Sequence, residues 1–208
     1  LKEQMEEMLK EDGTFAQLNA KIEAFENTIS GILSPDGNTN ISFIRSKALA
    51  ADVVWGYGDI KEALSKGGAE SIEVFCRMYY DEAVAEGVRP EVAFVQTMKE
   101  TGFLQYGGDA SVEQFNFAGL GTTGGGVPGN SYPDVRTGIR AQIQHLKAYA
   151  TADPLNGKCV DDRYEYVKKG TAPYVEWLGQ QENPEGLGWA TGDNYGYDIV
   201  RMIHDMKK

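Results

Sequence analysis

The sequence predicts a mainly α-helical domain with a short hairpin or loop region, preceded by an N-terminal helix. Three observations carry this expectation. Apolar residues recur at helical spacing in separate segments near 71–87, 92–102, 136–150 and 195–206. Between residues 103 and 135 that periodicity disappears, and glycines crowd with aromatics in "NFAGLGTTGGGVPGNSYPDV". The first thirty residues follow a different, seven-residue rhythm and are set off by the turn-rich "SPDGNTN" at 34–40.

In that first segment Leu1, Met8, Phe15, Ile22 and Ile29 recur every seven residues, with Leu18 and Phe25 between them. Gln4 and Glu11 break the earlier core positions, so the strong seam covers about two heptads, fewer than a coiled coil needs. Residues 1–33 are assigned to an N-terminal helix and linker, a coiled-coil stub at most. Such a helix packs on the main domain or continues a longer connecting helix, and self-association through it is the alternative.

Residues 41–208 read as one domain. Ser46 is placed to cap a helix starting "SKALAADVVW". In "SIEVFCRMYYDEAVAEG", Ile72, Phe75, Cys76, Tyr79, Tyr80 and Ala83 share one face, and Gly87 ends the helix. Pro90 suits the first turn of the next helix, which carries Val92, Val95 and Met98 and stops at Gly102. Ile139, Ile143, Leu146 and Ala150 line a stripe of "RTGIRAQIQHLKAYA", and "YGYDIVRMIHDM" closes the chain.

The 208 residues are 41% hydrophobic and 25% charged, enough for one substantial core. The net charge is −11 and no basic stripe stands out, which argues against nucleic acid and against anionic membrane surfaces. No apolar run approaches the roughly 20 residues that span a bilayer, so no membrane insertion is expected of this segment. No signal peptide is present, but the chain opens at Leu1 inside a helical pattern and reads as a trimmed or processed product. Cys76 and Cys159 fit no zinc or redox spacing and leave open one disulfide or two separate thiols.

One residue is out of place. Glu100 stands in the last turn of its helix, where the dipole is already negative and a cation is preferred. It shares a face with Gln96, Thr97 and Ala93 and leads directly into the irregular aromatic segment. A carboxyl group so placed has its ionised form disfavoured, and a raised pKa is what a general acid requires near neutrality. The plain alternative is a solvated glutamate at a helix end.

The ordered pieces "MKETGFLQYGG", "QFNFAGLG", "SYPDVRTGIRAQIQHLKAYA" and "WATGDNYGYDIVRMI", spread over residues 70–206, resemble the glucosaminidase domains of bacterial cell-wall hydrolases. This is the lysozyme-like family of endo-β-N-acetylglucosaminidases, glycoside hydrolase family 73. The resemblance implies a lysozyme-like helical fold that cleaves peptidoglycan glycan strands after N-acetylglucosamine. It implies an extracellular or cell-wall location and no cofactor. By its position in "KETG", Glu100 corresponds to the family's proton donor. "NFAGL" corresponds to a cleft-lining segment, which makes Asn116 and Phe117 substrate-binding candidates beside Gln96. Tyr195, in "WATGDNYGY", corresponds to the family's cleft tyrosine, with Trp189 in place of the motif's first Tyr.

The chain departs from the family at one point. Members often carry a second carboxylate on a hairpin before the next helix, but "TTGGGVPGNSYPD" holds no Glu. Its single acid, Asp134, is the expected second catalytic group; Asp109 and Glu113 are the other nearby acids. The substrate's own 2-acetamido group is the alternative nucleophile. Glycines 121 and 124–126 would permit the loop to close over a glycan. Trp55, Trp177 and Trp189 are candidates for stacking on sugars, against a default of buried packing. His145 and His204 lack neighbouring ligand types, and no metal is expected. "GGG" lacks the following Lys of a phosphate loop. Competing readings are a muramidase or lytic transglycosylase on the same polymer, and a non-catalytic wall-binding module.

Overall fold

A computed structural model of the chain describes residues 31–33, 44, 55 and 58–207. The chain divides into two compact units, Leu1–Ser30 and Gly31–Lys208, and the described residues all belong to the second. The heptad segment, the "SPDGNTN" linker and the Ser46 cap lie outside them.

Five α-helices appear among the described residues: α1 (Gly58–Lys66), α2 (Ile72–Glu86), α3 (Pro90–Thr101), α4 (Val135–Ala150) and α5 (Tyr195–Lys207). Short 3-10 turns occupy Val112–Gln114, Tyr164–Tyr166 and Val175–Leu178. None of these helices is long and apolar enough to cross a membrane. The expected hairpin is reduced to one antiparallel bridge between Gly124 and Val127, with no strand among the described residues. A strand pair needs partners and an apolar face, and a loop with this much glycine offers neither.

The helix ends follow the sequence. Ser71 caps α2 by accepting from the Val74 N–H at 3.3 Å, and Gly87 closes it in the left-handed conformation that only glycine adopts freely. Pro90 opens α3 and Gly102 ends it at φ 55°. Asp134 caps α4, its carboxylate accepting from the Thr137 N–H at 2.7 Å.

α3 is the hub. Val92, Ala93, Phe94, Val95, Gln96, Thr97 and Met98 are all buried, so this helix has no solvated face until its last turn. α2 and α5 pack on it and α4 packs mainly on α2. Edge-to-face rings fill the space between them: Tyr79 against Phe94 at 5.7 Å, and Phe75 against Tyr79 at 5.2 Å and Phe117 at 5.4 Å. Trp55 joins this cluster at 5.6 Å from Phe75, which makes it a packing residue. Polar clamps tie α2 to α4: Glu82 accepts from Arg136 and Arg140 at 2.8 and 2.7 Å, and Glu86 pairs with Lys147 at 3.1 Å. Cys76 is buried, Cys159 is exposed and no disulfide joins them.

Candidate active site

A hub helix buried along its length presents its last turn to a cleft of about 560 Å³, lined by Glu100, Asn116, Gly119, Trp189 and Tyr195 among others. Glu100 is an exposed residue at this cleft, and the inner side of its carboxyl is covered where Tyr195 meets it. That desolvation raises its pKa above the ordinary carboxylate range. The Tyr195 hydroxyl, which donates to Oε1 of Glu100, and the neighbouring Lys99 charge pull the pKa down and offset the rise only in part. Lys99 is itself held by Asp198, with Nζ 2.8 Å from Oδ2, and lies 5.4 Å over the Tyr195 ring.

Tyr195, at the first position of α5, is buried. Its hydroxyl accepts from Gln96 Nε2 at 3.1 Å while donating to Glu100. Gln96 is completely buried and accepts in turn from Gln142 Nε2 of α4 at 2.9 Å. The acid is thus the outer end of a polar chain that runs through the core.

Beyond Glu100 the backbone is unusual. Phe103, Leu104 and Tyr106 have φ of 57°, 66° and 57°, a left-handed run that bulky residues seldom adopt. Three bonds hold it: Phe103 N–H to Met98 O, Leu104 N–H to Thr101 Oγ1 and Tyr106 N–H to Thr101 O, at 2.8, 2.9 and 2.8 Å. This turn swings Tyr106 and Asp109 into the cleft wall. On the facing side Gly119, at φ 62°, comes so near that a Cβ there would stand 3.7 Å from Glu100 Oε2.

Two hydroxyls in this wall, Tyr106 Oη and Thr122 Oγ1, are shut off from solvent and have no hydrogen-bond partner. An orphaned buried hydroxyl costs about 1 kcal/mol or more. Tyr106→Phe is therefore expected to raise the melting temperature; a thermal melt in which it falls by several degrees would contradict this.

The family model named Glucosaminidase, mannosyl-glycoprotein endo-β-N-acetylglucosaminidase, matches residues 76–208, which take in α3, the cleft and Tyr195. The chain belongs to the glucosaminidase family. It is also 37% identical over 131 residues to an uncharacterized protein of Borreliella burgdorferi (strain ATCC 35210 / DSM 4680 / CIP 102532 / B31), a match that covers 63% of each chain. The chain thus spans under two thirds of that relative's length. No solved structure matches it.

Within the glucosaminidase domain the expected residues separate into groups. Glu100, Tyr195 and Gln96 are brought together and hydrogen-bonded in series. Asn116 borders the cleft, but its side chain is spent on backbone: Nδ2 donates to Leu120 O and Asn130 O at 2.9 and 3.1 Å, and Oδ1 accepts from Leu120 N–H at 2.9 Å. It shapes the loop that faces Glu100. Phe117 is fully buried against Phe75 and Tyr79 and does not line the cleft. Asp134 does not line it either, since capping α4 occupies its carboxylate. The second acid in the cleft wall is Asp109.

Of the three tryptophans only Trp189 lines the cleft. Its ring meets the edge of His145 at 4.9 Å, and His145 Nδ1 lies 2.7 Å from the buried Asp161. Trp177 packs on Tyr174 at 5.0 Å instead. Sequence reasoning missed Gln142 altogether, although a glutamine between Ile139 and Ile143 on an apolar helix was a visible signal.

Proposed function

We propose that this domain hydrolyses peptidoglycan at the β-1,4 bond that follows N-acetylglucosamine, with Glu100 as general acid. The observation that carries the reading is the placement of Glu100. It is a desolvated carboxyl with a raised pKa, open on one side to a cleft and fixed on the other by Tyr195. Protonation of the glycosidic oxygen by Glu100 lets the C1–O bond break, and the leaving sugar departs with its 4-hydroxyl restored. Trp189 offers an aromatic wall for a sugar face. Action on this polymer would put the domain in the cell wall, outside the cytoplasm.

The positive charge that develops at C1 needs a second group. Asp109 is favoured over Asp134, because it borders the same cleft while Asp134 holds a helix end. From there Asp109 would activate water, or accept from the N–H of the substrate's 2-acetamido group as the acetamido oxygen attacks C1. Asp109→Asn is expected to lower kcat by about 100-fold, in the range of general acid–base effects. Asp134→Ala should leave kcat within about twofold and cost about 1 kcal/mol of stability, the worth of a helix cap. Release of reducing ends from purified peptidoglycan, with thermal melts alongside, checks both. A collapse of kcat in a well-folded Asp134→Ala would reverse the assignment. No release of reducing ends by the parent domain would remove the function itself.

A further inference from the structure

The chain of amides behind the acid has a direction. Its inner end is the backbone carbonyl of Ala93, which can only accept, so the atom of Gln142 at 2.9 Å from it must be Nε2. The same Nε2 lies 2.9 Å from Gln96, so Gln96 must present its Oε1 there. The Oε1 of Gln142 then faces the hydroxyls of Tyr79 and Thr97, 2.9 Å from each, as an acceptor should. With Oε1 turned inward, Gln96 has only Nε2 for the Tyr195 hydroxyl, which must accept. The one acceptor left for the Tyr195 proton is Glu100 Oε1.

A protonated Glu100 therefore has one satisfactory arrangement. Were its proton on Oε1 and donated to Tyr195, the tyrosine's own hydrogen would be buried with no acceptor. With the proton on Oε2, the Tyr195 hydrogen keeps Glu100 Oε1 as its acceptor and the bonds from Gln142 through Gln96 to Tyr195 stay as they are. Oε2 is also the oxygen that faces Gly119, 3.7 Å from where a Cβ there would stand. We infer that Gln142 is a positioning residue. Anchored on the Ala93 carbonyl, it fixes through Gln96 and Tyr195 which oxygen of Glu100 carries the transferable proton, and that oxygen is Oε2. The inference rests on Glu100 as the acid, but the hydrogen-bond direction can be read without catalysis.

Other groups act on this carboxyl. Lys99 is beside it on α3, Asp198 and Tyr195 are on α5, and Tyr106 and Asp109 are in the cleft wall. Among these groups it is Tyr195 that is hydrogen-bonded to Gln96, so substitutions at Gln142 and Gln96 reach the carboxyl through it. In Gln142→Met the Gln96 amide is free to turn and offer Oε1 to Tyr195. The protonated acid then gains a second arrangement, and its pKa should rise.

The test is a titration of 13C-carboxyl-labelled glutamates by NMR, with Glu100 assigned by its loss in Glu100→Gln. Gln142→Met is expected to move the Glu100 midpoint up by on the order of one pH unit, the scale of one charge-assisted hydrogen bond. Adding Gln96→Met removes the competing acceptor and should bring the midpoint back down. An unchanged midpoint in the folded single variant, or a further rise in the double, overturns the inference. If Gln142→Met does not fold, infrared spectra of protonated Glu100 with and without Tyr195→Phe decide the matter. A carbonyl band that moves to higher frequency when Tyr195 is lost means that Oε1 is the carbonyl and Oε2 the carrier. A band that stays put places the proton on Oε1. Loss of activity in Glu100→Gln tests the function separately and has no bearing on these shifts.

Discussion

Glu100→Gln is expected to lower kcat/KM on peptidoglycan by about 1,000-fold and to make the protein more stable at neutral pH. The kinetic loss follows from removing a general acid whose contribution is typically between about 100- and 10,000-fold. The cleft should survive, because the amide oxygen of Gln can accept the Tyr195 bond that Oε1 accepts now. The gain in stability follows from the raised pKa. Above the ordinary carboxylate pKa the unfolded chain has released this proton while the folded chain still binds it. Stability attributable to Glu100 therefore falls as pH climbs from that ordinary value through the raised folded one. Gln has no charge to desolvate and avoids the loss. Melting temperatures should thus differ most near pH 7 and converge on acidification below the usual carboxylate range. A variant no more stable than the parent at pH 7 would mean that the carboxyl is not strained in the fold.

A comparable loss, of stability this time, is expected from Gly138→Ala in the middle of α4. Glycine to alanine in a helix normally stabilises, by about 1 kcal/mol. Here a Cβ would stand 1.8 Å from the carbonyl oxygen of Phe115. That oxygen is backbone, and Phe115 is held at φ 50° at the end of the 3-10 turn before Asn116. Its ring is wedged as well, since a Cβ on Gly67 would meet it at 2.6 Å. Relief requires moving Phe115 and with it Asn116, whose amide stitches together the loop facing the acid. A loss of about 3 kcal/mol, at the upper end of overpacking costs, is expected in urea unfolding, with activity impaired. An alanine variant as stable as the parent would show that α4 does not rest on this carbonyl.

The helices were legible because their signals are local. Ser71 and Gly87, Pro90 and Gly102 mark ends that depend on a few neighbouring residues, and the observed limits differ from the expected ones by one or two positions. Glu100 was legible as a misfit, a carboxylate where the helix dipole disfavours one, and the resemblance to glucosaminidases supplied its reason. Gln96 was placed on its face by helical spacing alone. Its bond to Tyr195 joins residues 99 positions apart and is visible only once α5 lies on α3.

Asp134 caps α4 and does not border the cleft, and the local signal for the cap was present in the sequence. An aspartate ahead of a helix, three residues before Thr137, is an N-cap pattern. Asp109 enters the cleft through the left-handed run at Phe103, Leu104 and Tyr106, a backbone path that residue type argues against. Residues 151–194 contain no α-helix and are shaped by side chains binding backbone, as where Asn183 Nδ2 donates to Thr171 O and Trp177 O at 2.9 and 3.0 Å. Such bonds have no periodicity to find.

The most direct test of the account is a digest of purified peptidoglycan, reduced with borohydride and read by mass spectrometry, with Glu100→Gln in parallel. Fragments ending in reduced N-acetylglucosamine, absent with the variant, are the expected result. Reduced or anhydro-muramic ends would instead assign the cut to the other bond, as in a muramidase or lytic transglycosylase. Equal release of fragments by parent and variant would contradict the central claim that Glu100 supplies the proton.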